Sequence, residues 1–146
     1  MSRVDTLAAH CSDYTGDPID RARLLPRVLR QLGYDVGTWI RVRPGERVFA
    51  RHPSDTEFVQ APELLDDLQA IALITPEPFE LIGSEANRTD NPPIVWAARI
   101  RSSGDFMYGK RPAATLAAAL LLFTRHPRRR MPVPPLHPVY PATVTW

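Results

Sequence analysis

The sequence is poor in the residues that build covalent and metal-bound cores. Among 146 residues it has one cysteine, Cys11, which excludes an internal disulfide and a cysteine-rich metal site. None of the four histidines stands at a metal-ligand spacing from another ligand. We therefore expect no bound metal and no cofactor. A single cysteine favours a reducing, cytoplasmic location.

Long apolar runs are missing as well. The most apolar stretch, residues 113–123, contains Thr115 and is much shorter than the roughly 20 residues that cross a bilayer. The first residues lack the apolar core of a secretory signal. We expect a protein that does not interact with membranes, and the chain length is typical of a single domain.

Catalytic motifs are also absent. The sequence has no glycine-rich phosphate loop, no Gly-x-Ser-x-Gly elbow and no His-Glu-x-x-His helix. Cys11 follows His10 directly, and adjacent residues seldom orient a thiol and its base toward each other. We therefore predict a protein without enzymatic activity. An enzyme that uses an acidic cluster around Asp66 and Asp67 is the remaining catalytic alternative.

Charge is abundant but unevenly distributed. The eighteen cations comprise seventeen arginines and Lys110. Residues 1–60 carry nine arginines against eight acids, residues 61–98 one arginine against seven acids, and residues 99–146 eight cations against one acid. Charge segregation of this kind steers association with a charged partner. The acidic segment is interpreted as a solvated helix face or, alternatively, as a mimic of a phosphate backbone.

The first helix is predicted from its end signals. Asp17 can cap its N-terminus, Pro18 suits its first position, and Gly33 can terminate it. Apolar residues between these signals recur at helical spacing: Ala22, Leu25, Val28, Leu29 and Leu32. Pro26 should cause a kink or a restart. Residues 1–16 show no clear period and are expected to lead into this helix.

A β-hairpin is predicted next. Residues 36–43 and 47–51 alternate between apolar and polar or aromatic side chains, and residues 44–46 form a three-residue loop. This loop length pairs Val42 with Val48 and Ile40 with Ala50, which keeps the apolar side chains on one face.

Further elements complete an α+β single domain over residues 1–126. A second helix is expected over 61–72 and a third from Pro112 to Phe123. Strands are expected at 79–83 and 93–102, the latter buried on both faces, with a short strand or turn at 105–109. The predicted order is α-β-β-α-β-β-α, with a mostly antiparallel sheet of about four strands and three helices. Residues 127–146 include six prolines and are expected to form an extended tail.

The outer face of the hairpin is the main candidate binding site. The predicted register places Arg43 opposite Arg47, Arg41 opposite Phe49, and Trp39 opposite Arg51. Like charges that face each other on paired strands are destabilising, and a bound anion or acidic surface would relieve that cost. Arginine and aromatic side chains together can also stack on nucleobases. A second basic cluster, Arg128, Arg129 and Arg130, begins the tail. The alternative interpretation is a sheet face partly covered by a helix, with the arginines extending past it to water, and a solvated basic helix end.

Three segments give the chain a resemblance to a known family. They are residues 28–33, which close the first helix, the aromatic strand leading into residues 52–55, and residues 111–114, which precede the last apolar helix. With the order of elements, they resemble the small phage-type domains called the phage ABA sandwich, over roughly residues 20–126. The resemblance implies a phage or prophage accessory protein without established catalytic residues.

These observations lead to two functional hypotheses besides the enzyme. The preferred one is a non-enzymatic phage or mobile-element protein that inhibits a host macromolecule by occlusion, in the manner of anti-CRISPR proteins. Its partner would be a host protein or ribonucleoprotein, such as a nucleic-acid-handling defence complex in the host cytoplasm. The alternative is an accessory protein that binds nucleic acid directly through the basic and aromatic hairpin together with Arg128, Arg129 and Arg130.

Overall fold

The computed structural model describes residues 2–37, 47–75, 77–85, 94–101 and 105–124. These residues form four helices and two three-stranded antiparallel sheets, which makes the fold mixed α+β as predicted. The loop at 44–46, most of the first hairpin strand and the tail at 127–146 lie outside the described residues.

The elements alternate between helices and sheets along the chain. The helices are α1 (Arg3–Asp13), α2 (Pro18–Gln31), α3 (Leu68–Ile74) and α4 (Pro112–Thr124). One sheet has the order β1 (Asp35–Val36), β2 (Phe49–Arg51), β3 (Val59–Gln60). The other has the order β4 (Phe79–Glu85), β5 (Ile94–Ile100), β6 (Met107–Gly109). The predicted single sheet of four strands is therefore wrong, because β3 and β6 each add a strand to a separate pair.

Helix α4 is the centre of the core. It packs against α1, α3, β5 and β6, and its residues from Ala113 to Leu121 are buried. Each fully buried leucine side chain contributes about 2 kcal/mol of transfer free energy. The prediction of a helix that is apolar on nearly all sides is confirmed. No described helix is both long and apolar enough to span a membrane.

Helix α2 follows its predicted end signals. The Asp17 carboxylate accepts a hydrogen bond from the Ile19 amide at 2.8 Å, and Pro18 is the first helical residue. Gly33 adopts φ +102°, a conformation that glycine reaches without steric cost. The helix continues through the buried Pro26, so a restart at that residue did not occur.

Helix α1 was not predicted, although its start has a recognisable signal. The Ser2 hydroxyl accepts a hydrogen bond from the Asp5 amide at 3.1 Å, and the Ser2 amide donates to the Asp5 carboxylate at 3.3 Å. This reciprocal pair is a capping box with aspartate in the usual place of glutamate. Two helices therefore precede the first strand, where the sequence predicted one.

The helix expected at 61–72 begins later. The Asp66 and Asp67 amides both donate to the Glu63 carbonyl, at 3.1 and 2.8 Å, which closes a turn. The Asp67 side chain then caps α3 by accepting from the Gln69 amide at 3.0 Å. Leu64 and Leu65 are buried, but they belong to this turn and not to a helix.

The second sheet packs one face onto α4. Ala98 and Ile100 of β5 are buried on that side. On the opposite face, Ala97 lies between Ile82 and Tyr108 in the strand register, and those two side chains are exposed. The buried residues of β5 therefore lie on one face only, and the prediction of burial on both faces is wrong.

Candidate basic binding surface

Three residues of the predicted hairpin face lie within the described part of the chain. Arg47, Phe49 and Arg51 alternate with the buried Val48 and Ala50, so the predicted alternation of faces is confirmed. Arg47 and Phe49 are exposed, and Arg51 is half-buried. The remaining residues predicted for the site lie outside the described residues: Trp39, Arg41, Arg43, Arg128, Arg129 and Arg130.

The register of the hairpin differs from the prediction by four residues. Ala50 pairs with Val36 rather than Ile40, and Arg51 pairs with Asp35 rather than Trp39. The Gly37 amide donates to the Phe49 carbonyl at 3.2 Å, so Phe49 does not face Arg41. A shift by an even number of residues keeps the same side chains on the same face, and alternation alone does not distinguish the two registers.

The observed register neutralises Arg51. Its guanidinium lies 3.1 Å from the Asp35 carboxylate and 3.3 Å from the Thr56 carbonyl oxygen. It also stacks over the Phe58 ring at 4.7 Å from the centroid. Arg51 is thus held by an acid and an aromatic ring of the same chain, while Arg47 and Phe49 stay exposed beside it.

A larger basic surface lies between α1 and α2. Arg23, Arg27 and Arg30 are separated by four and three residues, so they follow one face of α2. Two adjoining cavities of about 390 and 600 Å³ share His10 and Arg27. Together they form what we call the α1–α2 groove, lined by Arg3, Thr6, Leu7, His10, Asp13, Tyr14, Asp20, Arg23, Leu24, Arg27, Arg30 and Gln31.

The arginines of this groove form no ion pairs within the described part of the chain. Arg3, Arg23, Arg27 and Arg30 are exposed, and none makes an ion pair with another described residue. The two acids of the lining belong only to the smaller cavity, so the larger one is lined by cations and neutral side chains. Clustered guanidinium groups of this kind attract anions and counterions.

The groove connects with the first sheet. Arg30 also lines a third cavity of about 500 Å³, whose other walls include Asp35, Gly37, Arg51 and Phe58. Arg30 therefore lies between the cations of α2 and the surface of β2. The basic surface thus extends to α1 and α2, which the site predicted from the sequence did not include.

An internal polar cluster holds the groove in shape. The Tyr14 hydroxyl donates to both carboxylate oxygens of Asp66 at 2.9 Å, and Arg111 lies 3.4 Å from the same carboxylate. Arg21 pairs with Glu63, its Nε donating at 2.7 Å. These contacts join the end of α1, the start of α2, the turn before α3 and the start of α4. They fix the relative positions of the two helices that form the groove.

Burial and neighbouring charges shift the titration of this cluster. Burial raises the pKa of Tyr14 above its ordinary value, and its hydrogen bond to Asp66 raises that pKa further. The hydrogen bond to Glu63 raises the pKa of Arg21. Tyr14 therefore stays protonated and keeps donating, and Arg21 stays charged, across the neutral range.

Several carboxylates of the acidic segment make contacts within the described part of the chain. Glu63 and Asp66 pair with arginines, Asp67 caps α3, and Glu80 lies 2.8 Å from Arg99 across the second sheet. Each of these carboxylates thus has a structural partner within the chain. The described residues also contain no group of three acids, histidines or cysteines placed to hold a metal ion.

The groove cations were missed for identifiable reasons. The spacing of Arg23, Arg27 and Arg30 is visible in the sequence once α2 is accepted as a helix. Arg3 and His10 belong to α1, whose only strong local signal is its capping box. No local sequence pattern indicates that α1 and α2 pack beside each other, because this depends on the tertiary structure.

Comparison with protein-family models, curated proteins and solved structures finds no significant match.

Proposed function

We propose that this chain is a non-enzymatic binding protein that inhibits a macromolecule by occluding its negatively charged surface. The supporting observation is the α1–α2 groove, in which four exposed arginines make no ion pair with another described residue. Such a cluster attracts an anionic surface and steers its association.

The side chains of the groove suit binding rather than bond breaking. Guanidinium, imidazole and hydroxyl groups donate hydrogen bonds to anions. A hydrolytic mechanism would need Asp66 and Asp67. Asp66 instead forms an ion pair with Arg111, and Asp67 caps α3. Occlusion by charge complementarity is the function that this chemistry supports best.

The proposed biological setting is a phage or mobile element acting in the host cytoplasm. It is supported by the similarity of the segments at 28–33, 52–55 and 111–114 to phage-type sandwich domains, and by the small size of the chain. A nucleic-acid-handling defence complex is the proposed target, because its nucleic-acid component and its acidic surfaces both match a basic groove.

Affinity capture from a host lysate tests this function. The tagged protein, the double variant Arg27→Glu/Arg30→Glu and the control Arg101→Glu would be compared. Arg101 is also exposed but lies after β5, outside the groove. Retention of a stoichiometric partner by the protein and the control, with loss in the double variant, is expected. Equal retention of the partner by all three proteins would show that the groove does not bind it.

A further inference from the structure

We infer that the α1–α2 groove binds the phosphate backbone of single-stranded nucleic acid and that Phe49 stacks on one of its bases. This rests on the proposed function, since it names the class of the negatively charged partner. The nucleic acid would be DNA or RNA, which share the phosphate chemistry invoked here.

The lining of the larger cavity favours phosphate over a protein surface. Leu7 is its one apolar member, and the others are Arg3, Thr6, His10, Arg27, Arg30 and Gln31. The centre of a protein–protein interface is apolar and enriched in phenylalanine, tyrosine, tryptophan and methionine as well as arginine, and the lining of this cavity has none of the first four. Interfaces with nucleic acids are more polar and much more positively charged. The larger cavity, with three arginines and one leucine, is of the second kind.

The spacing of the cations suits a flexible anionic chain. Along the axis of α2, Arg27 lies about 6 Å from Arg23 and about 4.5 Å from Arg30. Arg3 extends the row on α1, and Thr6 and His10 add hydrogen-bonding groups on the same helix. A single strand can adjust its backbone to such a row, because its phosphates are not fixed by a duplex.

An exposed aromatic ring lies on the strand face that carries Arg51. Arg30 lines the third cavity with Asp35 and Arg51, and Phe49 is two residues from Arg51 in β2, on the same face. The Phe49 side chain is 37% exposed and lies next to Arg47 on the same face of β2. Aromatic side chains beside a positive groove stack on bases that are free of a complementary strand. This ring is the reason for assigning a single strand rather than a duplex.

Fluorescence anisotropy with a labelled oligothymidylate and a labelled oligouridylate, each of about 20 nucleotides, tests the inference, with the matching duplexes as competitors. Each phosphate contact on a single strand contributes about −0.7 to the slope of log affinity against log salt. At about 50 mM salt this corresponds to roughly eightfold in affinity per contact. Arg27→Gln/Arg30→Gln should therefore bind roughly 60-fold more weakly, with a slope shallower by about 1.4.

Two further variants separate the contributions. Phe49→Ala should weaken binding by roughly 5- to 150-fold without changing the salt slope, because stacking is not a phosphate contact. Arg101→Gln should bind like the unmodified protein, and circular dichroism checks that every variant is folded. Glutamine is a good helix former, so the groove substitutions should preserve α2.

The outcomes distinguish this inference from the proposed function. Absence of oligonucleotide binding, together with captured partner that depends on Arg27 and Arg30 and survives nuclease, would overturn the inference and leave the function standing. Tighter binding to duplex than to single strands, with no effect of Phe49→Ala, would also overturn it. Loss of both oligonucleotide binding and groove-dependent capture would overturn both.

Discussion

Gly109→Ala should destabilise the fold because β6 approaches α1 and α4 too closely to admit a methyl group. A Cβ at this position would lie well inside van der Waals contact of Thr115 Oγ1 and 3.2 Å from the Ser12 carbonyl oxygen. Thr115 is fully buried in α4, and its hydroxyl donates to the Arg111 carbonyl at 2.6 Å. The substitution therefore has to move a packed helix or break that bond.

The expected magnitude follows from two opposing terms. Overpacking of this kind costs about 1–3 kcal/mol. Replacing glycine with alanine reduces the entropy of the unfolded chain and returns about 0.4–1 kcal/mol. The free energy of unfolding should thus fall by about 1–2 kcal/mol, which lowers the urea midpoint by about 0.5–1 M for an m-value of about 2 kcal/mol/M.

A double-mutant cycle with Thr115→Ala tests the cause. Thr115→Ala alone removes the hydrogen bond from the hydroxyl to the Arg111 carbonyl. That carbonyl still accepts a hydrogen bond from the amide of residue 115 at 2.9 Å. Alanine also favours helix, so the single change should cost less than about 1 kcal/mol. In the double variant the closest clash is gone, leaving contacts of 3.2 Å. The two changes should therefore couple by at least about 1 kcal/mol.

Urea denaturation followed by far-UV circular dichroism measures these differences. Gly83→Ala is the matched comparison, because its Cβ would meet only the edge of the Trp96 ring at 2.8 Å, and that side chain can rotate. Gly83→Ala should cost less than Gly109→Ala. An unchanged midpoint for Gly109→Ala, or additive effects in the cycle, would refute the close-approach argument.

Three other substitutions test the internal cluster, the buried thiol and a helix cap. Asp66→Asn removes the charge that faces Arg111 and Tyr14, and it should lower the free energy of unfolding by about 1 kcal/mol in urea titrations. An unchanged midpoint would show that the cluster does not support the fold. Burial raises the pKa of Cys11 from 9.0 to about 12. Above pH 9 the thiol ionises more readily in the unfolded chain than in the folded one, so the contribution of the neutral thiol to stability is complete below pH 9 and is lost as the pH rises toward 12. Stability should therefore fall by up to about 1.4 kcal/mol per pH unit between pH 9 and 10, and Cys11→Ala should flatten this slope; identical slopes would contradict the assignment. Asp67→Ala removes the cap of α3 and should cost about 1 kcal/mol, whereas the exposed Gln69→Ala serves as the control and should cost far less.

The local signals in the sequence were sufficient for some elements. Asp17, Pro18 and Gly33 mark the ends of α2 because capping and left-handed backbone depend on neighbours in the chain. The apolar run from Ala113 predicts α4, since a helix that is apolar all round has to be buried. The capping box of α1 is equally local, and it was missed because its N3 residue is Asp5 rather than glutamate.

The candidate site was predicted only in part. The alternation of Arg47, Phe49 and Arg51 with buried neighbours depends on the two-residue period of a strand, which the sequence displays. The register does not follow from that period, because pairing Ala50 with Val36 or with Ile40 buries the same face. Asp35, which neutralises Arg51, became a partner only through the observed register.

The sequence by itself determined α2, α4 and the alternation of faces in β2, because capping, apolar periodicity and the strand period arise from contacts within a few residues. Tertiary structure decided the division into two sheets, the pairing of Tyr14 with Asp66 and the meeting of Arg3 with Arg27 and Arg30. These arrangements join residues far apart in the chain. They depend on how whole elements pack around α4, and no short segment carries that information.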